Sequence, residues 1–539
     1  MPSVAQWAGT PSVKGSSESM RMVLLTASLI GLQITWNVEM TYCTPYLLEL
    51  GLTKSRISLV WIAGPLSGLI MQPVVGVIAD RSTSRYGRRR PFMVSCAILT
   101  SLFLLLLGWT KEVVAWFATD KDTIKNATIV LAIFSIYGID FAINAVQGSC
   151  RGLIVDTLPI PKQQAGSSWA SRMVAVGSLI GYGIGALKLD TVFGTLLGDT
   201  QFKQLVVVAA FSLCLAVGIT SWAVTERVLI GHDGEEQLSA SRVLIDLAKS
   251  TFDLPATIKL ICHVQFWAWI GWFPFLFYST TWVGETYLRY DAPAAVKESD
   301  DMTGQVGRIG SLALIGFSIV TFIMSVLLPF MVKSPEGEEP PFTARPPAKL
   351  ATLVEKAGKF KPTLLTAWAI SHGVFAAAMC LAPFVQSLRS ATLIIGICGI
   401  SWAISCWAPF AFLGVEINRL SSTPSYVPLG RNSIELDGPS TLHLQQPDSE
   451  QQSTGEGSGK YLGIMNVYTT LPQFVGTGIS FVVFSLLEPG KSPELSDAPE
   501  HEHHSTEGVN AISVCLFIGA MCAVVAGFTT AKLGRIAKY

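Results

Sequence analysis

Charge is what this chain has least of. Only 14% of its 539 residues are Asp, Glu, Lys or Arg, against about 25% in soluble domains. Basic and acidic residues number 38 each, so no net field draws the chain to nucleic acid, and no such partner is expected. The ten cysteines include no CxxC pair and no other metal-ligand spacing. Cys96, Cys214, Cys380 and Cys398 lie inside apolar runs and read as small buried hydrophobes. No nucleophile–base pair stands out, which argues against an enzyme, and no cofactor is implied. A cleavable leader is not evident either: residues 1–20 are polar and Ser-rich, and the first apolar run starts near Met22.

What fills the chain instead is apolar sequence. Half of its residues are hydrophobic, and runs of about 20 apolar residues mark helices that span a bilayer. The runs fall at 22–48, 55–79, 91–110, 126–155, 166–188, 204–224, 255–283, 308–332, 361–386, 391–415, 460–486 and 508–531. They predict an all-α integral membrane protein with twelve transmembrane helices. The organisation expected is a tail 1–21, a six-helix half 22–224, a linker 225–254, a second six-helix half 255–531 and a tail 532–539. Within the second half, 416–459 is rich in Ser, Gln, Gly and Pro and reads as a disordered loop. Basic residues cluster at 81–90, at 349–361 and in the last eight residues. These fall on one side if both termini are cytoplasmic.

The exception to the apolar runs is residues 138–159, GIDFAINAVQGSCRGLIVDTLP. Asp140, Asn144, Gln147 and Arg151 are offset by 0, 4, 7 and 11 positions, so on a helix they form one stripe within about 60°. A charge at mid-bilayer costs at least about 2.5–3.5 kcal/mol, so the stripe must face protein or a wet cavity. Such a helix points to transport of something polar.

An internal repeat separates the two halves. Gly138-Ile-Asp-Phe-Ala-Ile-Asn-Ala-Val matches Gly399-Ile-Ser-Trp-Ala-Ile-Ser-Cys-Trp at four of nine positions. The register sets Asp140 against Ser401, Asn144 against Ser405, Phe141 against Trp402 and Arg151 against Phe412. The charges therefore belong to the first half, and the second is expected mostly to supply shape.

Between the second and third helices, Gly76-x3-Asp80-Arg81-x5-Gly87-Arg88 resembles the loop signature of the major facilitator superfamily. Such a carboxylate can hold a helix N-terminus or an arginine in one conformation and release it in the other. Three longer blocks resemble the sucrose transporter family of proton-coupled glycoside symporters. They are Gly64-Pro-Leu-Ser-Gly68 with Gln72-Pro73 and Arg88–Phe92; Asp140, Asn144, Gln147-Gly148 and Cys150-Arg151; and Gly271-Trp-Phe-Pro-Phe275 with Trp282 and Gly284. The resemblance implies the twelve-helix facilitator fold, with Asp140 as proton carrier and Arg151 as an essential intramembrane arginine. Departures from plant members include Lys54 in place of a histidine, Glu39 in place of a glutamine, and no charge on helix seven's outer end before Glu285. Substrate preference is therefore not carried over from the plant carriers.

The reading that results is import of a disaccharide (sucrose, maltose or a related α-glucoside) with a proton, by alternating access, through a monomer in the plasma or vacuolar membrane. Desolvation disfavours the charged form of a carboxyl, which suits Asp140 to taking up a proton. Arg151, about 16 Å along the helix, is left for sugar hydroxyls or for a pair with Glu39. Glu39, Asn144, Gln147, Gln72, Trp36, Trp282, Ser401 and Trp402 complete the expected substrate site. A sodium-coupled glycoside carrier and a sugar-sensing receptor remain as alternatives.

Overall fold

The computed structural model describes residues 6–80, 82–158, 162–231, 249, 251, 254–293, 301–332, 361–422, 450–493, 495, 499–503 and 508–537. Long helices dominate them. In chain order they are α1, Glu18–Thr26 continued by Ser28–Glu49; α2, Lys54–Val60 continued by Ala63–Asp80; α3, Arg90–Gly108; α4, Lys121–Thr157; α5, Gln163–Ala186; and α6, Gln201–Ala223. After the linker come α7, Ala256–Thr286; α8, Met302–Met331; α9, Leu364–Cys380; α10, Leu388–Ser405 continued by Ala408–Ser422; α11, Glu450–Leu487; and α12, Ala511–Ala537. Eleven stretches of the described residues are long and apolar enough to cross a membrane. The 24 residues of α5, about 36 Å of helix, supply a twelfth crossing by length.

Local chemistry sets where these helices start and break. Asp120, Thr200, Asp301, Thr363 and Ser387 each accept a backbone N–H from the first turn of the helix that follows. The interruptions in α2 and α10 fall two to four residues before Pro65 and Pro409. Neither proline has an N–H for the preceding turn, and its ring crowds the carbonyl four residues back.

Two expectations about the polar segments change. The stretch 416–459 is helical at both ends, because α10 runs to Ser422 and α11 starts at Glu450; Pro447-Asp-Ser-Glu450 is a helix-start sequence. Its middle, like most of the linker and of 333–360, lies outside the described residues. The amino-terminal tail and the start of the linker are joined rather than separate. Strand β1, Gln6–Ala8, pairs antiparallel with β4, Val228–Gly231, and β2, Ser12–Val13, pairs with β3, Val224–Thr225.

The halves meet along α1, α2 and α5 on one side and α7, α8 and α11 on the other. Within the first half, α4 packs on α2 and α3. Gly64 and Gly68 face the polar stripe across the α2–α4 seam: a Cβ on them would lie 3.7 Å from Asp140 Oδ1 and 3.5 Å from Asn144 Oδ1, respectively, in ordinary van der Waals contact. Small residues four apart are what lets two helix backbones approach in a membrane.

Candidate functional site

The stripe on α4 is the centre of the site, and its members are treated differently. Asn144 is buried and fully engaged. Its Nδ2 donates to Ser67 Oγ at 2.9 Å and to the Asp140 carbonyl at 3.0 Å, while its Oδ1 accepts from Gln72 Nε2 at 3.2 Å. This amide positions α2 against α4 and has no donor left for a sugar. Gln147 is half-buried and accepts from Trp36 Nε1 at 3.3 Å, which ties α4 to α1. Trp36, Gln72 and Gln147, all half-buried, thus line one face with their remaining polar atoms available.

Asp140 is the odd member. It is 1% exposed, and neither carboxylate oxygen has a hydrogen-bond partner. Glu39 on α1 is in the same condition: 0% exposed, with both oxygens unpartnered. The charge of Asp140 acts directly on Glu39. The expected alternative of an Arg151–Glu39 pair is therefore not what forms. Arg151 instead stands exposed with no hydrogen bond or ion pair among the described residues. Its charge reaches Cys406, also exposed, at the break in α10. The end of the interface near the chain termini is thus open to solvent around the arginine.

The opposite end is sealed by a charge cluster. Lys54 Nζ, at the start of α2, lies 2.7 Å from Glu285 Oε1 at the end of α7 and 2.6 Å from Glu488 Oε2 just after α11. Arg289 Nη2 adds contacts of 3.8 Å and 3.6 Å to the same carboxylates, and Asn510 Nδ2 donates to Glu285 at 2.7 Å. Lys54, Glu285 and Glu488 are each at most 3% exposed. The lysine comes from the first half and both carboxylates from the second. Trp282, 1% exposed and one turn before Glu285, is packed behind this seal rather than lining an open face. The sequence signalled the cluster only through Lys54 and Glu285 as isolated departures; Glu488 was not singled out.

The α2–α3 loop also assembles differently from its expected use. Arg81 lies outside the described residues, and of Asp80 only its place as the last residue of α2 is described. The carboxylate at the α3 N-terminus is Glu226, which accepts the backbone N–H groups of Arg88, Arg89 and Arg90 at 3.0, 2.9 and 2.8 Å. The arginine partner is Asp156 at the end of α4, accepting from Nε of both Arg88 and Arg89 at 2.9 Å. Gly87 has φ +100, and a Cβ there would meet the Glu226 carboxylate at 2.6 Å. Gly76 has open space around it.

In the second half the repeat positions Ser401 and Phe412 are engaged internally, while the Ser405 hydroxyl is buried without a partner among the described residues. Ser401 Oγ donates to the Ser371 carbonyl at 2.8 Å, and Phe412 stacks on Trp368 at 5.7 Å. Trp402 is half-buried and edge-on to Trp272 at 4.8 Å and to Trp269 at 6.1 Å. These side chains make an aromatic cluster within the second half.

With that geometry described, likeness to known proteins decides the family. Residues 26–271 match the model of the MFS/sugar transport protein family. A general alpha-glucoside permease of Schizosaccharomyces pombe is 33% identical over 95% of this chain and 93% of its own length. The chain belongs to the sucrose transporter family of major facilitator sugar transporters. A sucrose transport protein of Arabidopsis thaliana is 26% identical over 92% of this chain and 90% of its own length. Among solved structures, a bacterial homologue of the lysosomal transporter Spinster superposes with TM-score 0.55 at 14% identity, covering 97% of this chain and 98% of the other. A D-xylose–proton symporter superposes with TM-score 0.51 at 13% identity, covering 95% and 97%. These two show the facilitator fold. The protein is a multi-pass membrane sugar transporter, not an enzyme.

Proposed function

We propose that this chain imports an α-glucosidic disaccharide together with a proton, by alternating access. The observation that carries the reading is Asp140: buried at the middle of α4, without a partner, on a stripe that continues to half-buried Gln147 and exposed Arg151. A carboxyl in that setting is neutral at low cost and charged at high cost. Proton loading therefore lowers the cost of closing the site, and release to water restores the charge. Half-buried Trp36, Gln72, Gln147 and Trp402, with Arg151, are assigned to the sugar; Asn144 and Ser401 hold the walls that carry them. The general alpha-glucoside permease and the sucrose transport proteins support the substrate class.

The arrangement corresponds to the phase of the cycle in which the end opposite the termini is shut. With the termini in the cytoplasm, as the basic clusters favour, that phase releases sugar inward, in a monomer of the plasma membrane.

The test uses purified protein in liposomes. Labelled maltose or sucrose is expected to accumulate against its gradient when the outer pH is lower, with no requirement for sodium. Asp140→Asn is expected to keep sugar exchange down a gradient and to lose accumulation, by at least about a hundredfold. Unchanged uphill uptake in that variant sinks the proton assignment. Binding without translocation would instead favour a receptor.

A further inference from the structure

Glu39 was grouped with the substrate contacts, and the structure places it elsewhere. It lies on α1, which packs on α4, and its carboxylate and that of Asp140 are both sealed from solvent. Four carboxylate oxygens are unpartnered there. We propose that Glu39 and Asp140 form one protonation site, a pair of carboxyl groups that takes up and releases the coupling proton together.

The charges around the pair leave little choice. Cys43, one turn beyond Glu39 on α1, and Tyr137, three residues before Asp140 on α4, are the titratable groups whose charge is coupled to it. Neither is a cation. From α2 the nearest group is Gly64, and Phe277 of α7 lies behind it. Among the described residues neither carboxylate has an ion-pair partner, and the unpaired Arg151 lies eleven residues along α4 from Asp140, about 16 Å. Lys54 of α2 holds Glu285 and Glu488; Lys203 of α6 holds Glu112 and Asp199; Arg308 of α8 acts on Tyr42; Arg172 of α5 lies over Trp169. Two carboxylates close together in a dry site cannot both ionise. The conformation described therefore holds at least one proton on the pair. The uptake step forms one O–H bond on a carboxylate oxygen using a proton from water, and release breaks that bond and returns the proton to water.

Sharing gives Glu39 a task that a lone Asp140 cannot perform. The second carboxyl strengthens the pair's hold on the proton, because losing it would leave two like charges side by side. Glutamine at position 39 would do the opposite: its amide N–H can donate to Asp140 and favour the ionised carboxylate. The pair then reports its titration as one unit rather than as two residues.

This inference rests on proton-coupled transport, and the test separates the two. Uptake by wild type and Glu39→Gln in liposomes is measured across outer pH, with proton flux recorded alongside sugar flux. The expected result is that Glu39→Gln stays proton-coupled at the same proton-to-sugar ratio, while half-maximal uptake moves to more acid pH by about one unit or more, a tenfold change in proton concentration. A pH profile that does not move overturns the shared site while leaving Asp140 coupling intact. Wild-type uptake that ignores pH overturns the transport reading itself. Should Glu39→Gln fold poorly, infrared spectra of wild type and Asp140→Asn decide. A protonated-carboxyl band is expected in the wild type near neutral pH, with part of it lost in Asp140→Asn; no such band in the wild type defeats the proposal.

Discussion

Two groups of buried charge lie along the interface between the halves, and the protein treats them in opposite ways. At one end Lys54 of the first half meets Glu285 and Glu488 of the second across the joint, and Arg289 of the second half stands beside the same carboxylates. Nearer the middle, Glu39 and Asp140 share a site with no cation. The first group is at its best when the halves stay together, because Lys54 meets its two carboxylates only in that arrangement, and without it, among the described residues, one arginine faces two carboxylates. The second is at its best only with a proton, because nothing else in the site neutralises it. The difference assigns roles: a paired cluster holds one conformation, and an unpaired one waits for the ion that changes it.

The largest effect is expected from breaking the paired group. Lys54→Met leaves two carboxylates buried together with Arg289 as the remaining cation among the residues described beside them. Loss of one member of a buried ion pair costs about 3–5 kcal/mol. The sealed end should then open, seen as faster labelling of a cysteine placed behind the seal, and the melting temperature should drop. Adding Glu285→Gln to Lys54→Met removes one stranded charge and should recover part of the loss. A Lys54→Met protein that melts and labels like the parent would show that the cluster holds nothing.

Comparing these two groups also shows what the sequence could reveal. The stripe of Asp140, Asn144, Gln147 and Arg151 was legible because helical spacing is fixed at 3.6 residues per turn and the run around it is apolar. The all-α membrane class was legible for the same reason, since a bilayer demands long apolar segments, and the family was legible in the residue blocks around Gly64, Asp140 and Gly271. What spacing within one helix does not give is the partner on another. Glu39 looked like a counter-ion for Arg151 until α1 placed it beside Asp140. Lys54, Glu285 and Glu488 are hundreds of positions apart in part, and only the packing of α2, α7 and α11 joins them. Asn144 read as a sugar contact because it is on the stripe, yet its three bonds are all used by α2 and by its own helix. The loop was half legible: its glycines and arginines were visible, but the carboxylates that hold them, Glu226 and Asp156, come from the linker's start and the end of α4.

The loop offers a middle-sized test. Gly87 has a positive φ and a Glu226 carboxylate 2.6 Å from where a Cβ would sit. Gly87→Ala combines backbone strain of about 1–3 kcal/mol with displacement of the group that caps α3. The expected outcome is a lower melting temperature with less change in sugar affinity. Glu226→Gln keeps the shape but removes the charge at the α3 N-terminus, worth about 0.3–1 kcal/mol, and replaces one of the two accepting oxygens with a donor, losing a hydrogen bond of about 0.5–1.5 kcal/mol. Without backbone strain it should be the milder of the two. If Glu226→Gln proves the harsher, the cap's charge rather than the glycine's geometry holds the loop.

The smallest effect sharpens the comparison on the sugar's side. Trp36 in the first half spends its indole N–H on Gln147 at 3.3 Å, whereas Trp402 in the second half meets Trp272 and Trp269 through its ring. Phenylalanine keeps a ring and loses the donor. Trp36→Phe should free Gln147 and cost one hydrogen bond of about 0.5–1.5 kcal/mol, read as a rise in KM of roughly two- to tenfold. Trp402→Phe loses only ring area against its neighbours and should change KM less. The reverse order would mean that the second half recognises the sugar by polar contact, and that the division between a half that carries chemistry and a half that supplies shape does not hold.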